Sequence, residues 1–302
     1  MPIITFKKIP IITILLASFA IISGSTGLLS FENSFAHNFS PDESAHFLTI
    51  VDKIKVETQL ATNNTGSDNN LSLGQIHANN ALLNYDSHTK DEISERNERI
   101  ANELDDTLNQ LLEQAKSQTD QSQLTDTVET INAILEEAIT VRIDEEQLNN
   151  STIQVLVLAS VVDTALQNYG DAYNVGFDLT NMSNMKKEST TNDTAATNGH
   201  SDHVSTNAST HYNLVNFTNY ESALAFSNNA LEKYKNEMST SSPPLSEENN
   251  TNDSQSYLAK LENGLTEFNN AIKNKENPMK VMEIVHTQIH PNLQILFNLK
   301  IE

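Results

Sequence analysis

Ile93, Ile100, Leu104, Leu108, Leu111 and Ala115 recur at intervals of three, four or seven residues through a stretch with neither glycine nor proline. Only a helix puts side chains at that spacing on one face. Leu124, Val128, Ile131, Leu135 and Ile139 repeat the pattern immediately downstream. The whole chain permits the same, since its 302 residues include only eight glycines and seven prolines, and the residues that punctuate strands and tight turns are therefore scarce. The expectation is an all-α fold, a helical bundle of about eight helices. The first opens with Ser40-Pro41-Asp42-Glu43, a capping box with proline at the first helical position, and fades at Asn63. The others cover roughly 73–86, 90–117, 124–142, 152–170, 217–238, 255–275 and 278–298. The fifth is apolar nearly all round from Ile153 to Val162, so its place is central.

The amino-terminal segment carries an export signal. Lys7 and Lys8 precede an apolar run from Ile9 to Ile22, small residues follow, and Ser34-Phe35-Ala36 fits the small-x-small cleavage rule. Residues 1–36 read as a signal peptide, with an uncleaved anchor as the alternative; no later segment is long enough to span a membrane. The location is then extracytoplasmic, secreted or bound to the cell envelope. Eleven Asn-x-Ser/Thr acceptors fit that location: Asn38, Asn63, Asn70, Asn149, Asn150, Asn181, Asn192, Asn207, Asn216, Asn249 and Asn252. The chain has no cysteine, so packing alone must hold the exported fold together. A net charge of −22 excludes nucleic acid and anionic lipid as partners and favours cations, basic proteins or metal ions.

Residues 37–178 read as a five-helix bundle. Residues 179–214, rich in Asn, Thr and Ser, read as a disordered linker, and 215–302 as a three-helix segment. An internal three-helix repeat joins the two helical parts. Asn79-Asn80-Ala81-Leu82-x-x-Tyr85 recurs as Asn228-Asn229-Ala230-Leu231-x-x-Tyr234, and Leu104, Leu108 and Leu111 match Leu261, Leu265 and Phe268 at an offset of 157.

No nucleophile elbow or glycine-rich phosphate loop is present, and the expectation is a protein without catalytic activity. Two constellations point to metal. Cleavage after Ala36 would leave His37 as the first residue, whose α-amine and imidazole form a chelate suited to copper, with His46 one short segment away. Glu283, His286 and His290 share one side of a helix, and a helical wheel sets them away from the apolar stripe of Val281, Val285, Ile289 and Leu296; a divalent cation or a solvated face both fit that pattern. The charge-dense turn from Glu92 to Arg99 reads as two bridges at four-residue spacing, Glu92–Arg96 and Glu95–Arg99.

The stretch Ala36-His37-Asn38-Phe39-Ser40-Pro41, the charge cluster from Asp91 to Arg99, and His286-Thr287-Gln288-Ile289-His290-Pro291-Asn292-Leu293 resemble uncharacterised exported proteins of ammonia-oxidising archaea. The resemblance implies a cell-envelope location and a copper-rich physiology. More distantly, the helix-pair pattern is similar to extracytoplasmic helical domains of iron-permease and imelysin-like systems, although the imelysin metal motif is not evident. The function expected is therefore a non-enzymatic extracytoplasmic binding protein for a transition metal, copper before iron. The alternative is a structural envelope glycoprotein that engages protein partners through its helical faces.

Overall fold

A computed structural model of the chain describes residues 41–67, 70–117, 119–180, 212–238, 251–297 and 299. The signal peptide with His37, and the central stretch 181–211 of the expected linker, lie outside these residues. The described chain is all-α, with no strand among the described residues. Its helices are α1 (Pro41–Thr62), α2 (Leu71–Asn84), α3 (Ser87–Lys116), α4 (Gln121–Arg142), the short α5 (Glu145–Leu148), α6 (Ser151–Ala172), α7 (Phe217–Lys233), α8 (Thr251–Lys273), α9 (Pro278–Ile284) and α10 (His290–Phe297). Five-residue π-helical turns extend α1 (Asn63–Ser67) and α7 (Tyr234–Met238), and a third, Val285–Ile289, joins α9 to α10. No helix among the described residues is long and apolar enough to cross a membrane.

Side-chain oxygens cap the helix starts as the sequence demands. Asn70, Asp86, Asn150, Asn216 and Asn277 each accept from a backbone N–H in the first turn of the helix that follows. The periodic apolar residues of α3 and α4 are buried as expected, among them Leu104, Leu108, Leu111 and Ile131, with Ile139 half-buried. Helix α6 is central, packing against α1, α7, α9 and α10. The described helices of both expected parts belong to one compact unit, Phe39–Glu302. Residues 179, 212 and 214, expected within the linker, are packed into the fold. Leu179 is a core residue, Tyr212 and Leu214 pack against the core, and the Val215 and Asn216 N–H groups both donate to the Ala172 carbonyl.

Helix α3 corrects the bridge expected between Glu95 and Arg99. It breaks at Asn97 (φ −159°, ψ 97°), whose Oδ1 accepts from the Arg99 and Ile100 N–H groups and so caps the second half. The bend is sharp. Lys90 Nζ lies 2.6 Å from Asp105 Oδ2, although fifteen residues of straight helix would separate them by about 22 Å. Glu95 and Arg99 therefore fall on opposite sides of a break. Arg99 pairs with Glu103 and with Glu137 of α4. Glu92 pairs at 2.6 Å with Arg142, a buried guanidinium that also covers the Phe47 ring at 4.4 Å.

The internal repeat is visible in three dimensions. Tyr85 Oη donates to the Ala101 carbonyl of the next helix at 2.9 Å, and Tyr234 Oη donates to the Leu258 carbonyl of its next helix at 2.9 Å. Residues 101 and 258 are separated by 157, the same offset as the leucine matches. Ala81 and Ala230 are both fully buried. Each tyrosine staples its helix hairpin, so Tyr85→Phe and Tyr234→Phe should each cost about 1 kcal/mol in urea denaturation. Loss from only one of them would show that the two bonds are not equivalent.

Candidate functional site

Glu57, His77 and Glu221 come together from three helices inside the bundle. Glu57 follows Ile54 on the buried face of α1 and is 3% exposed. His77 lies on the face of α2 that also carries Ala78 and Ala81, and it is fully buried. Gly74 lets α2 approach closely there, because a Cβ at that position would stand 2.0 Å from Thr65 Oγ1 in the π-turn after α1. Glu221 and the buried Ser222 enter from the first turns of α7.

The imidazole is held at both nitrogens. Nδ1 donates to Glu57 Oε2 at 2.8 Å and Nε2 donates to Glu221 Oε2 at 3.3 Å. Glu57 also accepts from Ser222 Oγ at 2.7 Å and from Asn80 Nδ2 at 3.3 Å, and Glu221 from Asn64 Nδ2 at 3.4 Å. Carboxylates only accept, so a ring that donates twice is an imidazolium. Burial by itself works to lower its pKa, but the hydrogen bonds and charges of Glu221 and Glu57 outweigh burial, and His77 is pushed up to about 9. Two carboxylates then share one cation, and one negative charge is left over.

Glu221 links this cluster to the surface. It forms part of the floor of a groove of about 420 Å³ between α1 and α7. Val56 and Leu60 of α1 face Leu224 and Ala225 of α7 across it, with Asn229 and Glu232 further along α7. Asn229 Oδ1 is buried there without a hydrogen-bond partner. One turn beyond, Lys233 of α7 and Asp52 of α1 pair at 3.2 Å and close the seam.

The residues expected to bind metal are distributed differently. His46 is exposed, and His37 lies outside the described residues. Glu283 is exposed, whereas His286 and His290 are buried, so the helical wheel that set all three on a face away from the core is corrected. The π-turn at Val285–Ile289 inserts a residue into each turn it spans, and this rotates both imidazoles inward. Met282, Ile284, Leu293 and Phe297 are buried beside the expected stripe, so the segment is enclosed on most sides. His286 Nε2 donates to the Leu179 carbonyl at 2.9 Å, and His290 Nε2 stands 3.0 Å from Asp163 Oδ1. The two rings meet edge to face at 5.2 Å. Burial, its largest influence, lowers the pKa of His286. Among the described residues no three His, Asp or Glu side chains are grouped so as to hold a metal ion.

Sequence reasoning missed Glu57, His77 and Glu221, yet one signal was present. The repeat places Phe226, 2% exposed, at the position of His77, two residues ahead of the paired asparagines. One copy of the unit fills this place with an apolar ring and the other with a charged one. Comparison with protein-family models, with curated proteins and with solved structures finds no match for the chain.

Proposed function

We propose that this chain is a non-catalytic extracytoplasmic binding protein whose ligand lodges in the groove between α1 and α7. The observation that carries this reading is the Glu57–His77–Glu221 cluster, whose outer carboxylate reaches the groove. The fold itself does not require the cluster, since the repeat seats Phe226 in the equivalent place. A groove of about 420 Å³ is within the ordinary range for ligand cavities. The non-catalytic character is supported by the occupation of both His77 nitrogens and by the burial of Ser222, which donates to Glu57. Both imidazolium protons and the Ser222 hydroxyl proton are already given to carboxylates rather than held for a substrate. Export is supported by Lys7, Lys8 and the Ser34-Phe35-Ala36 site, and the native protein should begin at His37 on N-terminal sequencing.

The test is a fragment screen of the mature chain by methyl NMR. Fragments should perturb Leu60 and Leu224 before any other methyls, and Ala225→Phe should abolish those shifts while leaving the fold intact. Fragments that collect elsewhere and ignore Ala225→Phe would sink the proposal.

One observation favours the envelope-glycoprotein reading as a second role. Asn63, Asn70, Asn149, Asn150 and Asn216 are all exposed. Where Asn70, Asn150 and Asn216 cap helices, each does so through Oδ1. The amide nitrogen that would carry a glycan is not used by the cap. Deglycosylation of native protein should lower its intact mass; an unchanged mass would remove this role.

A further inference from the structure

We propose that the α1–α7 groove takes a small organic cation, an ammonium or guanidinium head on a compact apolar body, with the head set against Glu221 and Asn229. This inference rests on the groove being the ligand site and names the chemistry that site selects.

The argument is an inventory of hydrogen-bonding groups around the groove. Lys55, the one cationic side chain that lines it among the described residues, is ion-paired with Glu136 of α4. The Gln59 amide donates to Asn63 Oδ1 at 3.0 Å. The donors that remain are neutral side-chain amides. The acceptors are open. Glu221 spends Oε2 on His77 and Asn64, and Oε1 has no partner among the described residues. Asn229 Oδ1 is buried and unpaired. Glu232 has no ion-pair partner among the described residues and stands exposed at the rim.

Charge and shape agree with this inventory. The Glu57–His77–Glu221 cluster leaves one negative charge at the floor, and Glu232 adds a second at the mouth. Among the described residues an anion would meet two carboxylates and no unpaired cation. A neutral ligand would leave the Glu221 oxygen without a charged donor, and charge-assisted bonds to a partly desolvated carboxylate are the strong ones. Val56, Leu60, Leu224 and Ala225 supply two apolar walls for the body of the ligand. A cavity at the small end of the usual range of about 300–1,000 Å³ limits that body to a single ring or a short chain.

The experiment compares three probes of the same shape on the full mature chain: benzylammonium, benzyl alcohol and benzoate. Methyl NMR titration should place benzylammonium in the groove through shifts at Leu60 and Leu224. Benzyl alcohol should bind at least about tenfold more weakly, the loss of one charge-assisted bond, and benzoate should not bind. Glu221→Gln should weaken benzylammonium about tenfold and leave benzyl alcohol unchanged. Because Glu221 also accepts from His77, Glu232→Gln at the exposed rim and Asn229→Ala give independent measurements, and each should weaken benzylammonium alone. If benzyl alcohol or benzoate occupies the groove as tightly as benzylammonium, the cation inference is overturned while the groove remains a ligand site. If no probe shifts the groove methyls and Ala225→Phe changes nothing, both readings fall.

Discussion

His77→Phe alone should cost the protein about 3–5 kcal/mol in chemical denaturation, although Phe226 shows that the fold accepts an aromatic ring at this place. The cost comes from the partner left behind. Glu57 would keep its bonds from Ser222 and Asn80 but lose the only cation bonded to it among the described residues, in a site where its own exposure is 3%. A buried carboxylate without a counter-charge is far more expensive than an absent one. The combined replacement Glu57→Met, His77→Phe and Ser222→Ala removes charge and hydroxyl together and should recover the loss. It should end at or above the stability of the parent, as apolar replacements of buried ion pairs often do by about 1–4 kcal/mol. A single variant as stable as the parent would mean the cluster carries no buried charge. A triple variant as poor as the single would mean the fold needs the cluster, against the reading that it serves ligand binding.

Stability should fall by about 3 kcal/mol between pH 6 and pH 10, with the loss spread over the window from about pH 6.5 to about pH 9 and levelling off above it. The sign follows from His77, whose native pKa of about 9 stands above the value near 6.5 of a free imidazole. A group with a raised native pKa contributes its full stabilisation below the unfolded value and loses it as pH rises through the native one. The gap between about 9 and about 6.5 sets the size of the effect. His286 acts at the other end. Its lowered pKa means that acidification below about 6.5 protonates the unfolded chain first and erodes stability there. The maximum should therefore lie between these two arms. The triple variant lacks His77 and should flatten the alkaline arm while keeping the acid one. An alkaline loss of equal size in that variant would assign the effect elsewhere.

The helices were legible because their evidence is local. Leu104, Leu108 and Leu111 announce one buried face within eight residues, and the Asn79–Tyr85 motif announces its copy. The break at Asn97 was not legible, because asparagine tolerates a helix interior and neither glycine nor proline marks the spot. The inward turn of His286 and His290 was hidden by the π-turn, which a wheel drawn at constant pitch cannot contain. The Glu57–His77–Glu221 cluster was least legible. Its members are separated by 20 and 144 residues, and a polar residue on an apolar face does not say which distant partner satisfies it. Only the mismatch between His77 and Phe226 within the repeat hinted at a special position.

The described residues on either side of the stretch 181–211 are fastened to the same turn of α6. Leu179 rests against Gly170, with its Cδ1 3.1 Å from where a Cβ on that glycine would stand, and the Val215 and Asn216 N–H groups hang on the Ala172 carbonyl. One turn of helix thus clasps two parts of the chain that lie far apart in sequence. The two grips differ in kind: the first depends on the absence of a side chain at position 170, the second on a backbone carbonyl that any residue at 172 would supply. Substitution can loosen the first grip and leave the second in place, so Gly170 is the weak side of a two-sided clasp.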